Sequence, residues 1–272
     1  MARVKAGAAA NPAPPVVQRV RLRFAKRGRL RFLSHRDVAR SFERAVRRAG
    51  VPVAHSHGFS PHPRLSWVGA APTGAASEAE YVEMGLTREV DPEVLRAAMD
   101  GVLPDGLDVL EAVPAAPPSL ADRIDAGRWR LEIRGIPYPD VAAAVAELLG
   151  RDSVVVTRVT PSGRKEIDVR AALVALAVDP AGTGGPGADP AEGPAGQPGP
   201  AADCAILTAV VRQTTPTVRP DDVLSALGVV AGLTPPVPVT ATRLAQGLLD
   251  DGGDLVDPLG AVPVTRESPA GS

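Results

Sequence analysis

All four histidines of this chain lie between positions 35 and 62: His35, His55, His57 and His62. An imidazole exchanges a proton near neutral pH, so a converging pair can act as general acid and base. His35, at the head of an arginine-rich segment, and His62, held between Pro61 and Pro63, are the candidates for that role. Imidazoles also bind transition metals. His55 and His57 stand two residues apart, and with a third histidine and Glu78 or Glu80 they supply the donor types of a metal site. Polar residues at a loop edge account for the same pair more simply, and no metal or other cofactor is assigned.

The same stretch is dense in guanidinium groups. From Gln18 to Arg64 there are 13 Arg and Lys against 2 acids, Asp37 and Glu43, a net charge of +11. The first 17 residues add +2 and the whole chain carries −1, which leaves about −14 on residues 65–272. Positive charge gathered in this way fits a polyanionic partner, RNA first among them. The candidate phosphate contacts are Arg19, Arg21 and Arg23, then Arg36, Arg40, Arg44, Arg47 and Arg48, then Arg64. Phe24, Phe32 and Phe42 fall on apolar faces by periodicity. Phosphate contact is therefore favoured over base stacking.

The elements that hold these groups follow from periodicity. Gln18–Ala25 alternates Val20, Leu22 and Phe24 with arginines, the period of a half-buried strand. Lys26-Arg27-Gly28 predicts a turn, and Leu30 and Phe32 continue the alternation as a hairpin arm. Ser34 with Asp37 three residues on predicts a capped helix over 35–49, stopped by Gly50 and Pro52. Its Val38, Phe42, Ala45 and Val46 fall on one side and its arginines on the other. Strands are expected over 53–57, 64–68, 79–86 and 107–113, with a helix from Asp91-Pro92 to about Met99. The segment Ser77–Tyr81 reads as a turn entering a half-exposed strand.

This order is that of the split βαβ, or ferredoxin-like, unit. It recurs after a linker at 116–126. Strands are expected over 129–134, 153–159, 204–213 and 237–244, with one or two more in 166–177. Helices are expected over 138–149 and 220–227, the latter capped by Asp221. The fold class expected is α+β, with two tandem ferredoxin-like halves, 18–115 and 127–249, on antiparallel sheets. Residues 1–17, the Gly/Pro/Ala-rich insert 179–203 and the acidic segment 250–272 are expected to be disordered.

Composition narrows the function. Cys204 is the one cysteine, so a disulfide framework, a cysteine zinc site and a [4Fe–4S] cluster are excluded within the chain. A lone thiol fits a reducing, cytoplasmic setting. No apolar run approaches the roughly 20 residues of a membrane span, and no P-loop, GxGxxG or GxSxG motif stands in its required context.

Several motifs carry a resemblance. They are Phe32-Leu33-Ser34-His35-Arg36-Asp37, Phe42 through Pro52, Ser56-His57-Gly58-Phe59-Ser60-Pro61-His62-Pro63-Arg64, and Gly74 with Ser77 to Glu80-Tyr81. Together they resemble the bacterial radical-SAM-linked protein family of unknown function, most specifically over residues 18–115. Lys165-Glu166-Ile167-Asp168-Val169-Arg170 resembles that family's lysine-to-arginine motif. The resemblance makes His35 and His62 the motif histidines, with Ser34, Asp37, Gly58, Phe59, Pro61, Pro63 and Glu80 as motif positions. It implies a radical-SAM partner protein, and with one cysteine this chain would be a free-standing form that leaves cluster chemistry to that partner. Three readings follow: an RNA-binding accessory, a metal-free histidine-based RNA enzyme, or a protein-binding scaffold.

Overall fold

Alternation along the first strand decides which side of the sheet is covered. In the computed structural model, which describes residues 14–57, 60–160, 163–180 and 204–260, β1 spans Gln18–Lys26. Val20, Leu22 and Phe24 of β1 are buried against helix α1 (His35–Arg48). The chain then crosses through β2 (Leu65–Val68), β3 (Ala76–Leu86), helix α2 (Pro92–Asp100) and β4 (Val109–Pro114). The strands lie in the order β4-β1-β3, with β2 on β3, and every pairing is antiparallel.

The second half repeats the plan. It runs β5 (Ala126–Arg134), α3 (Tyr138–Leu149), a hairpin of β6 (Val155–Thr160) and β7 (Gly163–Asp168), the single turn α4 (Val169–Ala172) and β8 (Leu173–Pro180). After residues outside the description come β9 (Cys204–Arg212), α5 (Pro220–Ala231), β10 (Thr240–Leu249) and the short β11 (Leu255–Val256). The order β10-β5-β9-β8 matches that of the first half, fourth-first-third-second, again antiparallel. The fold is mixed α+β on a mostly antiparallel sheet, compatible with two tandem split βαβ halves.

Four expectations are corrected here. The hairpin arm after β1 is a 3-10 turn, Gly28–Phe32, which leaves Phe32 exposed at 59% rather than in the core. Val53–His57 makes isolated bridges only, Val53 to Leu86 and His55 to Pro63. The segment expected as the second strand of the second half forms the separate β6–β7 hairpin, and β8 takes the place in the sheet. Helix α5 is closed by Asp222, whose carboxylate accepts the Arg219 backbone N–H at 2.6 Å, and not by Asp221.

The two halves form one sheet because β10 pairs parallel with β3, at Ala76 and Ser77. That pairing is short, and buried polar side chains reinforce it. Arg243 of β10 donates to Ser77 Oγ at 3.2 Å and to the Gly69 carbonyl at 2.5 Å, and forms an ion pair with Glu80. Glu80 also accepts the Ala71 N–H at 3.2 Å. Lys26, 2% exposed, donates to the carbonyls of Ala71 and Pro72 at 3.3 and 3.2 Å. Gln246 donates to the Ala79 carbonyl at 2.6 Å. The loop between β2 and β3 is thus fastened by a buried network in which every charge has a partner, the condition for burying charge at all.

The expected linker and tail are also built into the fold. Leu120 and Ile124 pack with Ala79 and Tyr81, and with Leu259 from beyond β11. Arg123 donates to the carbonyls of Pro258, Gly260 and Pro117 at 3.1, 2.9 and 2.9 Å. Residues 116–126 therefore hold a packed 3-10 turn, and Leu259 and Gly260 make contacts with that segment. The expected lead over 1–13, the insert over 181–203 and the tail over 261–272 lie outside the described residues.

Candidate nucleic-acid interface

Helix α1 carries the densest charge. Its N-cap is Ser34, whose hydroxyl accepts the Asp37 N–H and donates to the Asp37 carboxylate at 2.6 Å. That hydrogen bond, with Arg40 and Arg44 nearby, holds the Asp37 carboxyl below the usual carboxylate range. The helix buries Val38, Ser41, Phe42, Ala45 and Val46. Arg36, Arg40, Arg44, Arg47 and Arg48 are all exposed. Their internal contacts are weak: Arg40 stands 3.7 Å from Asp37, Arg44 donates to Ser41 Oγ at 3.0 Å, and Arg47 donates to the Glu43 carbonyl at 3.2 Å. Among the described residues the Arg40–Asp37 contact is the one ion pair on this face, and water and salt screen an exposed pair of this kind.

The β1 arginines are not part of that surface. Val20, Leu22 and Phe24 face α1, so Arg19, Arg21 and Arg23 point to the opposite side of the sheet. There each meets an acid, Arg19 and Arg21 on Glu83 at 3.1 Å and Arg23 on Glu111 at 3.2 Å. Arg21 is 3% exposed and also donates to the Pro118 carbonyl at 2.7 Å. The candidate phosphate contacts of β1 and α1 thus lie on opposite faces, and the β1 set is paired with acids.

The motif residues separate in the same way. His35 is exposed, with its ring edge-on to Trp67 at 5.4 Å between centroids. Trp67 in turn joins Phe24 and Phe42 in an aromatic cluster, at 5.9 and 5.1 Å. His62 is exposed in the loop before β2, where its backbone N–H donates to Ser56 Oγ at 3.0 Å. Arg64 and Pro61 are exposed and Pro63 is half-buried. Gly58 and Phe59 lie outside the described residues. Glu80 belongs to the buried junction network rather than to this surface. Among the described residues no group of three His, Cys, Asp or Glu side chains comes together as a metal site.

One feature of this surface escaped the sequence. Phe32 stands in the open beside the head of α1, with the Arg31 guanidinium 4.7 Å above its ring. Arg31 and Phe32 together line a concavity of about 320 Å³ against Thr240 and Pro220 of the second half. An exposed aromatic ring therefore stands three residues ahead of the arginine helix in the chain.

The fold and this site define an α+β protein of two like halves with an exposed arginine helix; among the described residues no helix is long and apolar enough to cross a membrane. The chain belongs to the family described as "Uncharacterized protein conserved in bacteria (DUF2344)", whose model matches residues 19–220. A comparison with curated proteins finds no match. The family match takes in all of the first half and most of the second, and ends at the head of α5.

Proposed function

We propose that the protein binds RNA through the arginine face of α1, as an accessory to a radical-SAM enzyme in RNA modification or processing. The observation that carries the RNA part is the set of five exposed guanidinium groups on one helix, opposed by a single long ion pair. Phosphates suit such a row, since arginine presents paired N–H donors to phosphate oxygens. The exposed ring of Phe32 supplies a place for a base to stack. The radical-SAM partner is supported by the motif resemblance around His35 and His62, and a chain with one cysteine needs a partner for any cluster chemistry.

The triple variant Arg40→Glu, Arg44→Glu, Arg47→Glu tests the reading by filter retention of single-stranded RNA. The wild type is expected to lose affinity steeply with salt, with a log–log slope of about −3.5 for five phosphate contacts. The triple variant is expected to retain no RNA at moderate salt. A folded triple variant that binds as tightly as the wild type removes the proposal.

A further inference from the structure

A second cavity, of about 270 Å³, opens where the two halves meet, lined by none of the α1 arginines. One wall is the Gly69–Pro72 loop of the first half, and the rest comes from β5, β10, the end of β9, the connection that follows it and the first residue of α5. Three of its lining residues are arginines, Arg212, Arg219 and Arg243, and none is acidic.

The three differ in a way that matters. Arg243 is 4% exposed and its charge is matched by Glu80. It spends one N–H each on Ser77, Gly69 and Glu80, and a guanidinium has five. Two of its donors are left over, and Arg243 is among the residues that line the cavity. Arg212 and Arg219 stand at the rim, exposed, and neither makes an ion pair among the described residues. Two unmatched charges on a concave surface, above a buried guanidinium, attract an anion more strongly than the same charges on a convex helix.

The walls are set closely. Gly69 has φ of +58°, and a Cβ there would lie 2.4 Å from Gln246 Oε1. Gln246 is 3% exposed, its amide nitrogen donates to the Ala79 carbonyl, and the residue lines the cavity with its amide oxygen packed beside Gly69. Trp129 supplies an apolar wall, with Arg243 5.4 Å from its ring centre. Cation donors at one side, an aromatic wall and a fixed amide at the other are the parts that recognise a phosphate joined to a flat, hydrogen-bonding group.

We infer that this cavity binds a phosphate monoester of nucleotide size. The phosphate sits between Arg212 and Arg219, and the planar group lies toward Trp129 and Gln246. Such a group comes either from a free nucleotide or from the phosphorylated end of an RNA. This inference is separable from RNA binding on α1, because Arg212, Arg219, Trp129 and Gln246 are neither α1 arginines nor part of the Phe32 concavity, although the two cavities share Pro72 and Pro220.

Calorimetric titration of the full chain with AMP tests it, with a Trp67→Phe variant in which Trp129 is the one remaining tryptophan as an optical reading of the cavity. Saturable AMP binding is expected, with a change in Trp129 emission. Affinity should fall at least about tenfold in Arg212→Ala/Arg219→Ala, a loss of about 1.4 kcal/mol or more. The α1 triple variant should bind AMP as the wild type does. An RNA that displaces AMP only when 5′-phosphorylated assigns the site to RNA ends; failure of that RNA to compete assigns it to free nucleotide. Absence of AMP binding at millimolar concentration, equal binding of adenosine, or undiminished binding in the double arginine variant overturns the inference.

Discussion

Glu80 sits where one carboxylate answers two buried cations. Arg243 bonds to it directly, and Lys26 lies near enough for Glu80 to oppose the loss of its proton. Replacing Glu80 by Gln keeps the shape and an acceptor for the Ala71 N–H, yet leaves both cations unmatched. Glu80→Gln is expected to lower stability by about 3–5 kcal/mol in urea unfolding. Lys26→Met in that background should recover part of the loss, a coupling that a double-mutant cycle reads directly. Burial pulls the Lys26 pKa below its ordinary value of 10.5. The unfolded chain therefore keeps that proton to higher pH than the folded one does. The cost of burying the charged lysine is full at low pH and shrinks as pH climbs through the lowered value toward 10.5. The stability of wild type relative to Lys26→Met should accordingly improve between neutral and alkaline pH. None of this was legible in the sequence, because Arg243 and Glu80 are 163 residues apart and neither stands in a motif that announces the other.

Helices were the most readable elements, and for physical reasons. The expected bounds of α3, Tyr138–Leu149, are those observed, with Pro at the first turn and Gly150 just past the end. Asp91 caps α2 through its carboxylate, accepting the N–H groups of Glu93 and Val94. Period alone misled at two places. Arg19, Arg21 and Arg23 alternate as expected, but Glu83 and Glu111, which pair with them, arrive from strands far along the chain. Phe32 keeps the alternation of β1, yet the backbone has already turned into the 3-10 segment and carries the ring outward. That exposure gives a direct expectation. Phe32→Ala should change the melting temperature little, because the ring is mostly in water, as surface substitutions within about 0.5 kcal/mol do. If the ring receives a base, RNA affinity should fall by about 1–3 kcal/mol in a binding titration.

The molecule as a whole behaves as one sheet with two cores. Trp67 packs against the core of the first half and Trp129 belongs to that of the second. Proteins with Trp67→Phe or Trp129→Phe then report the two halves separately by fluorescence. Both should unfold with a common midpoint, since the junction network ties them. In an Arg243→Met background the two midpoints are expected to separate, as the loop at Gly69 and the Glu80 carboxylate lose their partner. The tandem plan was visible in the sequence as a repeated order of elements. The assignment of its strands was not, because the apolar run Leu173–Val178 has no period of its own and the β6–β7 hairpin occupies the expected place of β8.

The strand that joins the halves, β10, is also the last long strand to be synthesised among the described residues. Translation can complete β4, β1, β3 and β2 while the C-terminal residues are still being added. Until β10 emerges, β5 has an open flank and Glu80 waits beside Lys26 without its arginine. A nascent chain stalled before Thr240 should therefore carry a finished first half and an unclosed second one. Vectorial synthesis thus makes β10 the clasp between the halves, and the flank of β5 stays open until that strand is made.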